Sequence, residues 1–445
     1  MRALSTLVIC SALALACAST GYAADAVITQ AQQLIEKRDA QGAYNLLKPL
    51  EAQRAGDPEF DYLLGIAAVD SGRATEGVFA LERVLAVNPG HVQARAELAR
   101  AYFVLGENDT AQREFQSIEK QGVPDDVRTT IDRFLNAIDQ AKQATGKVLG
   151  GYLEAGIGHD TNVNSGTSGN SVAIPAFGGA IATLNPAAVK AQDNFLSLAA
   201  GAYFRYPTNP AGLAWLGGID INQRLHDTQT QFEQGYVNGN LGLEYTLGKN
   251  KYLVAAQGQQ LWVQNTGVYR NSYGGVGQWQ YQIDNDSVGS AFLQYARLEY
   301  PTQGVRNAGR TVGGLAYAHA FTNVKYTPAI FLSGYYADER QSDSTRPDLG
   351  HHAPGIRLGG QLTFNERWNA FASVAYEERD YGGATPGFTD DRRDRQYDYR
   401  IGANFIPARL WTVTPQFLYT DNSSNVPFNA FTRAQAFVTV RRDFK

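Results

Sequence analysis

The chain of 445 residues is long enough for two or three domains, or for one domain followed by a large barrel. With 44% hydrophobic and 18% charged residues it is neither a disordered chain nor a bundle of membrane helices, and a formal net charge of -4 leaves no basic footprint for nucleic acid. Glycine (45), tyrosine (24) and phenylalanine (21) against a single methionine suit many closely spaced strands with aromatic belts better than a helix-rich enzyme.

The first residues read as an export signal, residues 1–23: Arg2, an apolar run from Leu4 to Ala16, and the small-x-small site Gly21-Tyr22-Ala23. Both cysteines, Cys10 and Cys17, fall inside it, so the exported chain is expected to use neither disulfides nor thiol chemistry. Ala14 stands where a lipid-modified Cys17 would need an aliphatic residue. Beyond this segment no apolar run reaches the roughly 18 residues of a membrane-spanning helix, so a membrane-spanning form of this chain must be a barrel.

Residues 24–143 carry a helical period. Ala43, Gly77 and Ala111 recur at one spacing, as do Leu47, Leu81 and Phe115, and the pairs Leu64-Gly65 and Leu98-Ala99 keep the same step. That step is about 34 residues, the tetratricopeptide period, and Pro89 closes "LERVLAVNP" where such a repeat closes. Asp61 and Arg95 occupy the positions of the consensus Trp, and a last helix from Asp125 to Lys142 would cap the stack. A stack of this kind is either a passive spacer or a concave surface for a peptide or partner protein.

From Lys147 to the end, residues 147–445, the period is two. Tyr397, Tyr399, Ile401, Ala403 and Phe405 alternate with Asp398, Arg400, Gly402 and Asn404, and "LWTVTPQFLYT" (Leu410 to Thr420) behaves the same way. Fourteen such segments begin near residues 148, 193, 212, 231, 251, 269, 286, 308, 324, 349, 368, 392, 410 and 428. The count is even, and each segment exceeds the 9 to 11 residues or so that cross a bilayer with tilt. Tight turns are expected at Gly248–Asn250, Asp284–Asp286, Phe321–Asn323, Asn365–Arg367 and Pro407–Arg409, with long connections between them at His159–Gln192, Ala337–Asp348 and Tyr381–Asp391. Short and long connections in alternation are the mark of an outer-membrane barrel. The final strand puts Ala434, Ala436, Val438, Val440 and Phe444 on its greasy face, where Arg442 intrudes. The fold class expected is therefore α + β in two domains: an N-terminal tetratricopeptide-like α-solenoid, then a C-terminal 14-stranded antiparallel transmembrane β-barrel.

No Gly-rich phosphate loop, zinc spacing or nucleophile elbow is present, so neither a cofactor nor catalysis is expected. The pair His351-His352 and the acidic Asp338, Glu339, Asp343 and Asp348 lie in or beside predicted loops without metal-ligand order. Charge is densest in "EERDYGGATPGFTDDRRDRQYDYR". From it Arg392, Arg393, Arg395, Asp398, Arg400 and Asn404, together with Arg433, form a candidate lumen track. Such charges either brace a barrel wall by pairing or offer a transported chain a polar path.

The whole chain resembles the surface lipoprotein assembly modifier family, which joins a periplasmic tetratricopeptide domain to a barrel. The resemblance is most specific at "GHDTNVN" (Asp160, Asn162, Asn164), at "RRDR", and at Ser424, Asn425 and Arg433. It implies an outer-membrane translocon that moves lipoproteins or other secreted proteins from the periplasm to the cell surface, fed by periplasmic chaperones; a monomer is expected, and the terminal Phe444 suits the barrel-assembly machinery. The alternative is an exopolysaccharide-export porin with a periplasmic tetratricopeptide domain, and a third reading is a plain diffusion porin.

Overall fold

The computed structural model describes residues 25–444 apart from 209–211 and 265–266, so the expected signal segment, with Cys10 and Cys17, lies outside the described residues. The chain divides into two compact units between Ala144 and Thr145.

The first unit is helical: α1 (Ala26–Glu36), α2 (Ala40–Leu47), α3 (Glu51–Arg54), α4 (Pro58–Asp70), α5 (Ala74–Val87), α6 (Val92–Val104), α7 (Asn108–Glu119) and α8 (Asp125–Thr145). Side-chain caps set the starts of α1, α2, α4 and α6. Asp39 accepts from the Gly42 N–H and Asp57 from those of Glu59 and Phe60, satisfying donors that the first turn leaves free. Gly72 (φ 84°) and Gly106 (φ 79°) follow α4 and α6 in the left-handed conformation that ends a helix. The residues that recur in the sequence are the ones that pack: Ala43, Leu47, Leu81 and Ala111 are fully buried. At Gly77 an added Cβ would meet Val69 Cγ2 at 2.5 Å and the Gly65 carbonyl at 3.0 Å, so α4 and α5 touch almost backbone to backbone. Where the repeat lacks its Trp, an ion pair takes the space. Asp61, fully buried, accepts from the Arg83 guanidinium and from the Gly56 N–H at 2.8 Å.

The second unit is a closed antiparallel barrel. Its staves are β1 (Val148–Asp160), β4 (Asp193–Pro207), β5 (Leu213–His226), β6 (Gln234–Leu247), β7 (Asn250–Val263), β8 (Gly267–Gln282), β9 (Ser287–Glu299), β10 (Ala308–Ala320), β11 (Ala329–Gln341), β12 (His351–Thr363), β13 (Trp368–Ala384), β14 (Asp391–Phe405), β15 (Trp411–Ser424) and β16 (Phe431–Phe444). Between β1 and β4 lies a small hairpin outside the barrel sheet, β2 (Ser171–Ile174) and β3 (Ala180–Thr183). Each stave pairs with its neighbours in the chain, and β1 closes on β16 from Gly151↔Phe444 to Asp160↔Gln435.

Alternation assigns the faces. On β1, Leu149, Leu153 and Ile157 are 78%, 56% and 68% exposed, while Tyr152, Glu154 and Asp160 point inward. Trp411, Val413, Pro415, Phe417 and Tyr419 of β15 share the outer face, so the greasy side of that strand faces the surroundings of the barrel. Outer aromatics gather in two belts. Tyr376, Tyr397, Tyr399 and Tyr419 form a chain with ring centroids 4.9, 6.4 and 6.2 Å apart, and near the other end Trp368 stacks on Phe405 at 4.6 Å. An outer face of this kind, apolar between aromatic girdles, suits a bilayer. Arg442 does share it, and its guanidinium reaches back over Trp411 to donate to the Arg409 carbonyl at the barrel's end.

The connections between staves alternate less cleanly than expected. Residues 248–249, 283–286, 364–367 and 406–410 are short turns at one end, and residues 161–192, 300–307 and 342–350 are longer loops at the other. The turn expected at Phe321–Asn323 runs instead through 321–328, and β11 starts at Ala329 rather than near 324. Pro328 lacks the N–H that would carry the ladder further back, and Tyr326 and Thr327 take positive φ beside it. The final strand likewise starts at Phe431 rather than near 428, because Pro427–Asn429 forms a 3₁₀ turn.

Candidate functional site in the barrel lumen

At the long-loop end the inner wall carries a rim of acid–arginine pairs. Asp160, fully buried at the end of β1, accepts from Arg433 Nε at 2.9 Å and Gln435 Nε2 at 2.7 Å, with Arg224 of β5 at 3.6 Å. On β14 the buried Asp394 is gripped by Arg392, whose guanidinium lies 4.2 Å from the Tyr381 ring centroid. Between β11 and β13, Arg379 donates to Glu377 at 2.6 Å and Tyr335 donates to the same carboxylate; on β10 and β11, Arg310 meets Glu339 at 3.0 Å. Each pair joins residues of the inner face, so opposite charges meet out of bulk water and brace the wall.

The motif after β1 fastens the long loop to this rim. Asn162, fully buried, donates to the carbonyls of Gly166 (2.8 Å) and Thr432 (2.9 Å) and accepts from the Gly166 N–H. Asn164 donates to the Ala187 and Val189 carbonyls and accepts from the Ala191 N–H, pinning the two ends of the loop together. Farther out, the Ala176 N–H donates to the Gly387 carbonyl at 3.1 Å, so the β2–β3 hairpin is tied to the loop between β13 and β14. Asn425 makes the corresponding closure on β14: it accepts from the Arg393 N–H and donates to the Asp391 carbonyl, while Ser424 Oγ accepts from the Val426 N–H.

Of the candidate track, Arg392, Asp398, Arg400, Asn404 and Arg433 lie on the inner face. Asp398 accepts from Thr420 and Gln396, Arg400 donates to Gln416 at 2.6 Å, and Asn404 bridges Asn369 and Thr414. Arg393 and Arg395 do not belong with them. They take the outer parity with Tyr397 and Tyr399, and there they meet Asp380 and Glu378 on β13. Successive strand residues point to opposite faces, so a run such as "RRDR" cannot all line a lumen. Counting by twos back from Asp398 reaches Gln396 and Asp394, which belong to the inner face and were not among the expected residues. Arg224 and Arg357 are also inner residues that no motif marked, and so are Glu377 and Arg379, which open the charge-dense segment but are absent from the expected track. His351 and His352 face opposite sides: His351 packs on Tyr381 at 4.9 Å and His352 sits 3.1 Å from Asp338. Glu339 points inward to Arg310, and Asp348 pairs with Arg346. Among the described residues no group of three or more His, Cys, Asp or Glu is placed to hold a metal ion.

A closed 14-stranded barrel with an apolar, aromatic-belted exterior and a charged, hydrogen-bonded interior defines an outer-membrane barrel protein, here joined to a helical repeat unit. The profile of the family described as surface lipoprotein assembly modifier matches residues 151–444, and a tetratricopeptide-repeat profile matches residues 68–128. The chain belongs to the surface lipoprotein assembly modifier family. Among proteins of that name, one from Moraxella catarrhalis is 21% identical over 91% of this chain and 77% of its own length, and one from Pasteurella multocida is 21% identical over 94% and 83%. The tetratricopeptide domain of Sgt2 from Aspergillus fumigatus aligns with 26% of this chain and 77% of its own, at 16% identity and a TM-score of 0.23.

Proposed function

We propose that the protein is an outer-membrane translocon that delivers lipoproteins or other secreted proteins from the periplasm to the cell surface. The observation that carries the proposal is the family membership of the barrel, residues 151–444, whose relatives are named for surface lipoprotein assembly. The polar inner wall supports it, because a polypeptide in transit needs water and hydrogen-bonding groups along its path. In this reading the short-turn end and the helical repeat unit face the periplasm, where chaperones hand over cargo to a single copy of the chain. The long-loop end, with its fastened hairpin, is the exit.

The test is protease shaving of intact wild-type and deletion cells, with mass spectrometry of the released surface peptides. Loss of one or a few surface proteins, with their total cellular amounts maintained, is the expected outcome and names the cargo. Unchanged surface proteins with a fall in extracellular polysaccharide would replace the translocon by an export porin.

A further inference from the structure

Most arginines of the inner wall have a carboxylate beside them, and among the described residues three do not. Arg205, Arg224, Arg310, Arg379, Arg392, Arg433 and Arg441 each lie against a carboxylate: Glu244, Asp160, Glu339, Glu377, Asp394, Asp160 and Asp443. Arg270 donates to the Gln259 side chain at 2.8 Å. Arg357 of β12 and Arg400 of β14 differ. Both are exposed and inward-pointing, and among the described residues neither has a carboxylate partner.

These two guanidinium groups line one cavity of about 430 Å³. Placing like charges side by side without a counter-charge costs free energy, and an incoming anion relieves it. Arg400 is oriented from two sides, by its bonds to Gln416 Oε1 at 3.0 and 2.6 Å and by the Phe371 ring 5.3 Å from its Cζ. One edge of its fork is thereby fixed, and the remaining donors are free for a ligand. Gln416, Asn404 and Thr414 add amide and hydroxyl groups to the cavity wall. The one carboxylate on that wall, Glu154, stands opposite Arg441 in the strand register across the β1–β16 seam, and Arg441 itself lies against Asp443.

We propose that Arg357 and Arg400 form an anion-binding station inside the barrel that holds the carboxylate side chains of an acidic polypeptide segment during passage. Two forks present bidentate donors to carboxylates, while the surrounding amides match a peptide backbone. An acidic polysaccharide is the competing occupant, since Phe331 and Phe371 also line the cavity, and the experiment below separates the two. The proposal rests on the translocon reading and specifies which cargo chemistry that path engages.

The experiment is fluorescence anisotropy with the full-length protein purified in detergent and a fluorescein-labelled decaglutamate peptide at low salt. Saturable binding is expected, with unlabelled decaglutamine not competing, and R357Q/R400Q is expected to weaken it at least about tenfold. R393Q/R395Q, which alters arginines of the outer face, is expected to bind like wild type. Folding is checked by heat-modifiable migration of the barrel. Should the double variant fail that check, R357Q alone carries the test, because among the described residues that side chain makes no hydrogen bond or ion pair. Undiminished binding by a folded variant overturns the station, as does binding of oligogalacturonate in place of the peptide. The translocon reading stands or falls separately: deletion cells with an unchanged surface proteome overturn it, whereas a depleted surface proteome with unaltered peptide binding by the variant overturns only the station.

Discussion

Asp160 sets one negative charge, shielded from water, against Arg433, with a second guanidinium from Arg224 nearby. Removing one member of a buried pair leaves the other uncompensated, at a cost of about 3–5 kcal/mol. Asp160→Asn is therefore expected to lower the temperature at which the barrel loses its heat-modifiable migration. Arg393→Gln, at an outer arginine 58% exposed, is expected to leave that temperature nearly unchanged. In the helical unit the Lys48 ammonium lies 2.7 Å from Glu51 and 2.6 Å from Glu76, linking α3 to α5. Its hydrogen bond holds each carboxyl below the usual range, with help from Arg83 at Glu51 and from Tyr44 at Glu76. A carboxyl lowered by folding adds stability that is complete above its ordinary value, near 4.3, and disappears as pH falls through the lowered one. Acid is thus expected to loosen residues 40–87, and Lys48→Met to move that loosening to higher pH, as read by peptide-resolved hydrogen exchange. An unshifted acid transition in the variant would remove Lys48 from the account.

At the level of the strand, two staves contain proline on the outer face. Pairing of β14 with β15 is recorded at Gly402↔Gln416 and next at Phe405↔Val413, while β15 keeps its pairing with β16 through Pro415↔Val438. The break therefore faces β14, where Pro415 has no N–H to give. Pro354 leaves the same kind of gap between His352↔Asp380 and Gly355↔Glu377 of β12 and β13. Pro415→Val is expected to restore the missing bond and to slow amide exchange across residues 402–405 and 413–416; equal exchange in both proteins would mean that proline is not what opens the ladder. The strands themselves were legible because a two-residue period survives in any stave with lipid on one side and water on the other. Their partners were not: Arg433 finds Asp160 from 273 positions away, a meeting created by barrel closure, which leaves no local pattern. Residue-by-residue charge density misled at Arg393 and Arg395, where parity alone decides the face. Parity counted strictly from Asp398 would have recovered Asp394 and Gln396. The β2–β3 hairpin escaped notice because four-residue strands among glycines and alanines carry too few turns of any period to register.

For the molecule as a whole, what matters is how the long-loop mouth of the barrel is held. The loop after β1 is anchored at its base by Asn162 and Asn164, and its hairpin reaches beyond the neighbouring strands β16 and β15 to the Gly387 carbonyl. Beside that contact, Phe388 and Phe428 meet edge to face at 5.6 Å, so the loops following β13 and β15 are joined as well. A hairpin tied to one loop, which is itself joined to a second, is expected to narrow the mouth of the barrel, while the rim of ion pairs braces the wall without its help. Replacing residues 171–183 by a short Gly-Ser linker should therefore leave the barrel folded, because Asp160, Asn162 and Asn164 remain in place. It should also raise single-channel conductance in planar bilayers and admit large antibiotics into cells carrying the variant. Combining the deletion with Asp160→Asn separates the two levels, since a rim failure lowers thermal stability whereas loss of the hairpin alone changes only passage. Conductance that stays at the wild-type level in a folded deletion variant would place the restriction deeper in the barrel.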